Sequence, residues 1–162
     1  DMQARTAWEW LWAWLGATFT QSLEEAGNET TLISRTWDMA VDNFPDVTLG
    51  NLFYETLLGL APNLKAVFSK PKQILSTKFV EMLSTLVSFH NKLDDPTIYN
   101  EQMMWLGVRH VAYGSKFSHV EVLQEVLIST IGTAVGDDWT EEAEQAWRDL
   151  WQTTCHRLLT IM

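Results

Sequence analysis

From residue 32 to the C-terminus, apolar residues return every three or four positions, and each run is cut by proline, glycine or a capping residue before it grows long. That period buries one face of an α-helix, whereas a half-buried strand alternates at every second residue. Residues 32–43, LISRTWDMAVDN, form one such run, which ends at Phe44-Pro45 because a residue before proline is pushed out of the helical region. The next, DVTLGNLFYETLLGL, sets Leu49, Leu52, Phe53, Leu57 and Leu60 on one side and stops where Pro62 starts a short turn. A long helix follows Pro71, with Ile74, Leu75, Phe79, Met82, Leu83, Leu86 and Phe89 at helical spacing, and residues 94–96 (DDP) break it. YNEQMMWLGVRHVAYG then closes at Gly114, and SHVEVLQEVLISTIGTAVG closes near Gly136. Thr140 opens the last helix, with acids in its first turn. No strand pattern, repeat or low-complexity tract competes, so the chain reads as all-α.

The N-terminal segment TAWEWLWAWLGATF holds Trp8, Trp10, Trp12 and Trp14, a spacing of two that resembles a strand. It nevertheless reads as helix. Trp8, Leu11, Trp12, Leu15 and Phe19 make one helical stripe among good helix formers, and Trp10 and Trp14 make a second ridge. The run is too short to span a membrane, carries Glu9, and lacks a basic start and a cleavage site. A polar break over residues 24–31 separates it from the remainder of the chain. Residues 1–30 are therefore expected to be a helical extension, and 31–162 one domain. A start at Asp1 without an initiator methionine is what a fragment or a processed product would have.

A chain of 162 residues, 46% of them hydrophobic, can bury one substantial core. With 21 acidic against 11 basic residues the net charge is −10, a repulsive field for polyphosphate, so nucleic acid is not an expected partner. Cys155 is the one cysteine and can form no internal disulfide, which fits a reducing, cytoplasmic setting.

Taken alone, His110 in WLGVRHVAYG reads as a satisfied core histidine. Its neighbours change that. From about residue 32 onward the chain resembles a globin, most closely the flavohaemoglobin-domain, single-domain and neuroglobin-like branch. The likeness rests on LFYETLLGLAPNLKAVF, STKFVEMLSTLV, LGVRHVAYG and VLISTIGTAVGDDWTEEAEQAW, which occur in family order at compatible spacing.

The resemblance implies a three-over-three helical sandwich around haem b, with the Trp-rich helix as an addition. His110 stands at the position of the proximal iron ligand; neutral imidazole suits ferrous iron, one nitrogen binding while the other is oriented by an acceptor. Phe68 falls where globins stack a phenylalanine on the porphyrin, and Tyr54 faces the distal side, where its hydroxyl would stabilise bound dioxygen. Leu75 takes the place usually held by a distal histidine or glutamine, and Phe79 lies one turn later. A shift of two residues would put Gln73 there instead. Leu106 lines the proximal side, and Lys78 and Arg109 are candidates for the haem propionates. His90, His119 and His156 match no ligand position.

The departures matter too. Val120 and Met162 stand where flavohaemoglobins place the tyrosine and glutamate that polarise the proximal histidine, and Trp151 replaces another tyrosine. The resemblance thus implies reversible binding of dioxygen, carbon monoxide or nitric oxide, for gas sensing or oxygen binding, with the N-terminal helix meeting an output domain or a second copy. The alternative is a nitric oxide dioxygenase served by a separate reductase.

Overall fold

The computed structural model describes residues 2–45, 47–91, 96–112 and 118–161, with side chains from residue 14 onward except 23–26, 29–30, 89–91, 96–99, 112 and 161. Gly114, Met162 and the side chains of Phe89, His90, Trp8, Trp10, Leu11 and Trp12 lie outside that description. The elements are α1 (Met2–Asn43), α2 (Val47–Leu60), a 3-10 turn (Pro62–Ala66), α3 (Lys72–Asn91), α4 (Pro96–Ala112), α5 (Ser118–Val135), a second 3-10 turn (Gly136–Asp138) and α6 (Glu141–Ile161). No strand occurs among the described residues. Helix α2 packs on α3 and α5, α1 on α5, α6 and α3, and α4 on α6, giving three helices over three.

The joints follow local chemistry. Asn43 ends α1 and donates its side-chain amide to the Ala134 carbonyl at 3.0 Å, pinning that end beside the end of α5. Gly136 adopts φ +73°, the left-handed conformation that terminates a helix at little cost for glycine. Thr140 Oγ1 accepts the Ala143 N–H at 3.2 Å, and Glu141, Glu142 and Glu144 place negative charge at the start of α6.

One expectation about the N-terminus changes. The Trp-rich segment is helical, but residues 24–31 do not break it: α1 runs unbroken from Met2 to Asn43. Relative to alanine, Glu, Asn and Thr cost only tenths of a kcal/mol and the single Gly27 about 1 kcal/mol, too little to stop a helix anchored further along. The anchor is the stretch around Ile33, Thr36 and Ala40, all buried. There the Trp147 indole donates to Thr36 Oγ1 at 2.8 Å, and Thr36 Oγ1 donates to the Leu32 carbonyl at 2.7 Å, so both polar groups are satisfied inside the core. Nearer the N-terminus Trp14 is 53% exposed and Phe19 66% exposed, so this part of α1 is not laid on the helical body.

The main core joins Phe53, Leu57, Leu75, Phe79, Leu83, Val126, Leu127, Ile131, Trp147 and Leu150, among others. A tight approach lies where α2 crosses α3. A Cβ added to Gly50 would lie 2.1 Å from the Ser76 carbonyl oxygen and 2.5 Å from its carbon, both backbone atoms that cannot swing aside. Gly50→Ala is therefore expected to cost about 3 kcal/mol or more by forcing the helices apart. Urea unfolding of the variant measures it, and a change within about 0.5 kcal/mol would mean that the two helices can separate at almost no cost.

Candidate functional site

The Gly50–Ser76 crossing sets up the site, because residues three or four positions on share its face. Tyr54 follows Gly50 by one turn on α2, and Phe79 follows Ser76 by one turn on α3. Their rings are near-parallel, with centroids 6.5 Å apart. Phe68, delivered by the chain after the Pro62–Ala66 turn, meets Phe79 edge-on at 5.4 Å, and Phe53 packs on the same ring at 4.6 Å. Such contacts add about 0.5–1.5 kcal/mol per pair beyond area burial, enough to hold Phe79 as the hub of this wall. Leu75 and Phe79 are buried, Tyr54 and Phe68 half-buried. Tyr54's hydroxyl makes no hydrogen bond to another described residue.

The register of α3 is visible here. Leu75 points into the packed interior, while Gln73 is exposed. Ile74, expected on the apolar stripe, is 52% exposed, because it directly precedes Leu75 and lies about 100° round the helix from it. Lys78 is exposed and pairs with Glu81 one turn on, so its position is on the outer surface of α3.

Helix α4 carries His110. His110 Nδ1 lies 2.9 Å from the Leu106 carbonyl oxygen. A carbonyl only accepts, so Nδ1 carries the hydrogen and a neutral ring keeps its lone pair on Nε2. Leu106 and His110 are half-buried on the face that also buries Met103 and Gly107; Met104, Trp105, Val108 and Val111 turn outward. The stretch that read as uniformly apolar is thus divided into two faces.

No described side chain of α4 belongs to the main core; Met103 packs instead with Leu106 and with Leu158 of α6. A cleft of about 490 Å³ runs between α3 and α4, lined by Ser84, Thr85 and Ser88 on one side and Gln102, Trp105, Leu106 and Arg109 on the other. Tyr54, Phe68, Leu75 and Phe79 are therefore brought together where α2 meets α3, Leu106, Arg109 and His110 are carried by α4 with Arg109 exposed, and Lys78 stands apart; of the expected site residues only Leu106 and Arg109 line the α3–α4 cleft.

Trp151 of α6 donates its indole N–H to the Val120 carbonyl at the start of α5, at 3.1 Å. Cys155 is buried nearby, and burial pushes its thiol up to about 12, which keeps it protonated and unreactive at neutral pH. His119 is half-buried and His156 exposed. Among the described residues no cluster of three or more His, Cys, Asp or Glu could hold a metal, and no helix is long and apolar enough to cross a membrane.

Sequence reasoning missed Gly50 and Lys72. The pairing of a glycine on α2 with a small residue on α3 is the signal that marks the first. Lys72 sits with its Nζ 6.0 Å from the Tyr54 ring centroid and gave no signal in sequence, since it looks like any solvated lysine at a helix start.

The sequence profile of the globin family matches residues 51–158, so the chain belongs to the globin family. Its helical fold is the globin fold. It is 27% identical over 129 residues to an anaerobic nitrite reductase of Gossypium hirsutum, covering 72% of this chain and 80% of the relative. It is 27% identical over 128 residues to a leghemoglobin of Medicago sativa, covering 74% and 86%. Against a flavohemoprotein of Bordetella pertussis it is 23% identical over 95 residues, 59% of this chain but only 24% of that protein. The family and these hemoglobin-like relatives imply haem binding and the binding of diatomic gases.

Proposed function

We propose that the chain binds haem b between α3 and α4 and uses it to hold dioxygen reversibly, as a gas sensor or oxygen-binding protein. Two observations carry it: an aromatic wall where α2 meets α3, and on α4 a histidine whose Nδ1 is already committed to the Leu106 carbonyl. Three features fit the cofactor: apolar side chains at Phe68, Phe79 and Leu75, an imidazole oriented by its own helix, and an α4 whose described side chains take no part in the main core. Haem, when bound, supplies an iron centre that takes a diatomic gas.

The residues of the chain divide the work. His110 offers Nε2 to the iron, and Leu106 fixes the ring through its carbonyl as well as lining the proximal side. Phe68 and Phe79 present apolar surface to the macrocycle and exclude water. Leu75, which neither ligates nor donates, leaves the distal side open. Tyr54 supplies the hydrogen bond for a gas that carries partial negative charge, and its hydroxyl has no competing partner among the described residues. Arg109, beside the cleft, is the better of the two cations for a propionate, since Lys78 is already paired with Glu81.

Catalytic removal of nitric oxide, with a separate reductase, is the second reading, favoured by the likeness to a flavohemoprotein. Against it, Val120 and Trp151 offer no carboxylate or phenol to make the imidazole more electron-rich. Stopped-flow mixing of the ferrous chain with dioxygen, followed by nitric oxide with and without a flavin reductase, separates the two. The proposal expects reversible uptake of dioxygen and no sustained reductase-dependent consumption of nitric oxide. Multiple turnovers limited by the reductase would reverse the order.

A further inference from the structure

At the outer edge of the aromatic wall, one ammonium group links three residues. Lys72, the first residue of α3, donates from Nζ to Glu55 Oε1 at 2.7 Å, and the same Nζ lies over the Tyr54 ring, 6.0 Å from its centroid. Glu55 directly follows Tyr54 on α2, and Leu75 stands three residues after Lys72, one turn along the same helix. The ion pair is exposed at both ends, and pairs of that kind add little to fold stability. The α2–α3 contact is already fixed by the Gly50–Ser76 crossing and by Phe53 against Phe79. The position of Lys72 therefore bears on Tyr54 rather than on the fold.

Tyr54 is half-buried, stacked against Phe79, and has no hydrogen-bond partner for its hydroxyl among the described residues. Packing on Phe79 limits the ring on one contact; the ammonium limits it on another. A cation over an aromatic face is attracted to it and draws electron density from the ring, which makes a phenolic O–H a stronger donor. We propose that Lys72, held in place by Glu55, is a positioning residue that fixes the Tyr54 ring and strengthens its hydroxyl as the hydrogen-bond donor to dioxygen. This rests on Tyr54 being the donor to the bound gas. The roles are distinct: Tyr54 touches the gas, Lys72 acts through Tyr54, and Glu55 acts through Lys72.

The test measures dioxygen and carbon monoxide release by stopped flow from the haem-loaded chain carrying Lys72→Met, Lys72→Arg or Glu55→Gln, each alone and combined with Tyr54→Phe. Lys72→Met is expected to release dioxygen about threefold faster, the size of an exposed cation–π contact. Glu55→Gln moves the same way by less, and Lys72→Arg, which keeps the cation, stays near the parent. Carbon monoxide release is unchanged in all three, and none of them adds to the effect of Tyr54→Phe. Parent-like release from Lys72→Met beside fast release from Tyr54→Phe overturns this inference alone. An equal acceleration by Lys72→Met in the Tyr54→Phe background also overturns it, by assigning Lys72 to the path of the gas. If Tyr54→Phe itself leaves dioxygen release unchanged, the donor role of Tyr54 fails and takes this inference with it. As a readout that does not depend on gas release, tyrosine-ring carbon NMR of the diamagnetic carbon monoxide form should show the Tyr54 signals displaced by Lys72→Met and not by Lys78→Met. Undisturbed Tyr54 signals would overturn the inference as well.

Discussion

Replacing His110 with alanine is expected to abolish stable haem retention, with transfer to excess apomyoglobin accelerated by more than about 100-fold, since even groups that merely orient a metal ligand are worth about 10–100-fold in affinity. Helix α4 is tied to the body through Met103 and Leu158, so its register is fixed where His110 is presented. The Leu106 carbonyl takes the Nδ1 hydrogen at 2.9 Å and so defines Nε2 as the nitrogen with a lone pair. Removing the imidazole would leave α4 with no ligand to offer the iron, only Leu106 and the Arg109 charge beside the cleft. His156→Ala is the control: that residue is exposed on α6, and its loss is expected to leave retention unchanged. Equal loss from both variants would point to general destabilisation, and retention in His110→Ala would assign the ligand elsewhere.

Tyr54→Phe is expected to speed dioxygen release by about 10- to 100-fold, the worth of a hydrogen bond of about 1.5–3 kcal/mol to a partly charged acceptor. Carbon monoxide, a poorer acceptor, is expected to change much less. Because the phenyl ring preserves the stacking on Phe79 and only the hydroxyl is lost, the fold should be unaffected. Stopped-flow release of both gases gives the comparison. Equal effects on the two gases would make Tyr54 a packing residue, and slower dioxygen release would require a different donor.

Much of the fold could be read because its joints are chemically explicit. Phe44-Pro45, Pro62, Gly136 with its positive φ, and Thr140 with three acids behind it each state a helix end in one or two residues. The α1 helix is harder to read, because nothing in residues 24–31 is a true breaker; whether such a polar stretch stays helical depends on the anchoring of Ile33, Thr36 and Ala40 against distant α5 and α6. The aromatic wall is legible through Tyr54, Phe68 and Phe79, whose types are unusual enough to notice. Ile74 reads as inward-facing but is not, since a run of adjacent apolar residues carries no phase; only the packing of Leu75 shows which one faces inward. The Gly50–Ser76 approach and the Lys72–Tyr54 contact join separate helices at specific atoms, and a single sequence holds no record of which helices cross.

The central claim is that His110 is the iron ligand and that Leu75 leaves the opposite side open. Resonance Raman spectroscopy of the ferrous, gas-free chain addresses both at once. The account predicts a five-coordinate high-spin iron with an iron–histidine stretching band that disappears in His110→Gly and returns when free imidazole is added. A six-coordinate low-spin ferrous spectrum, or an iron–histidine band unchanged in His110→Gly, would contradict it.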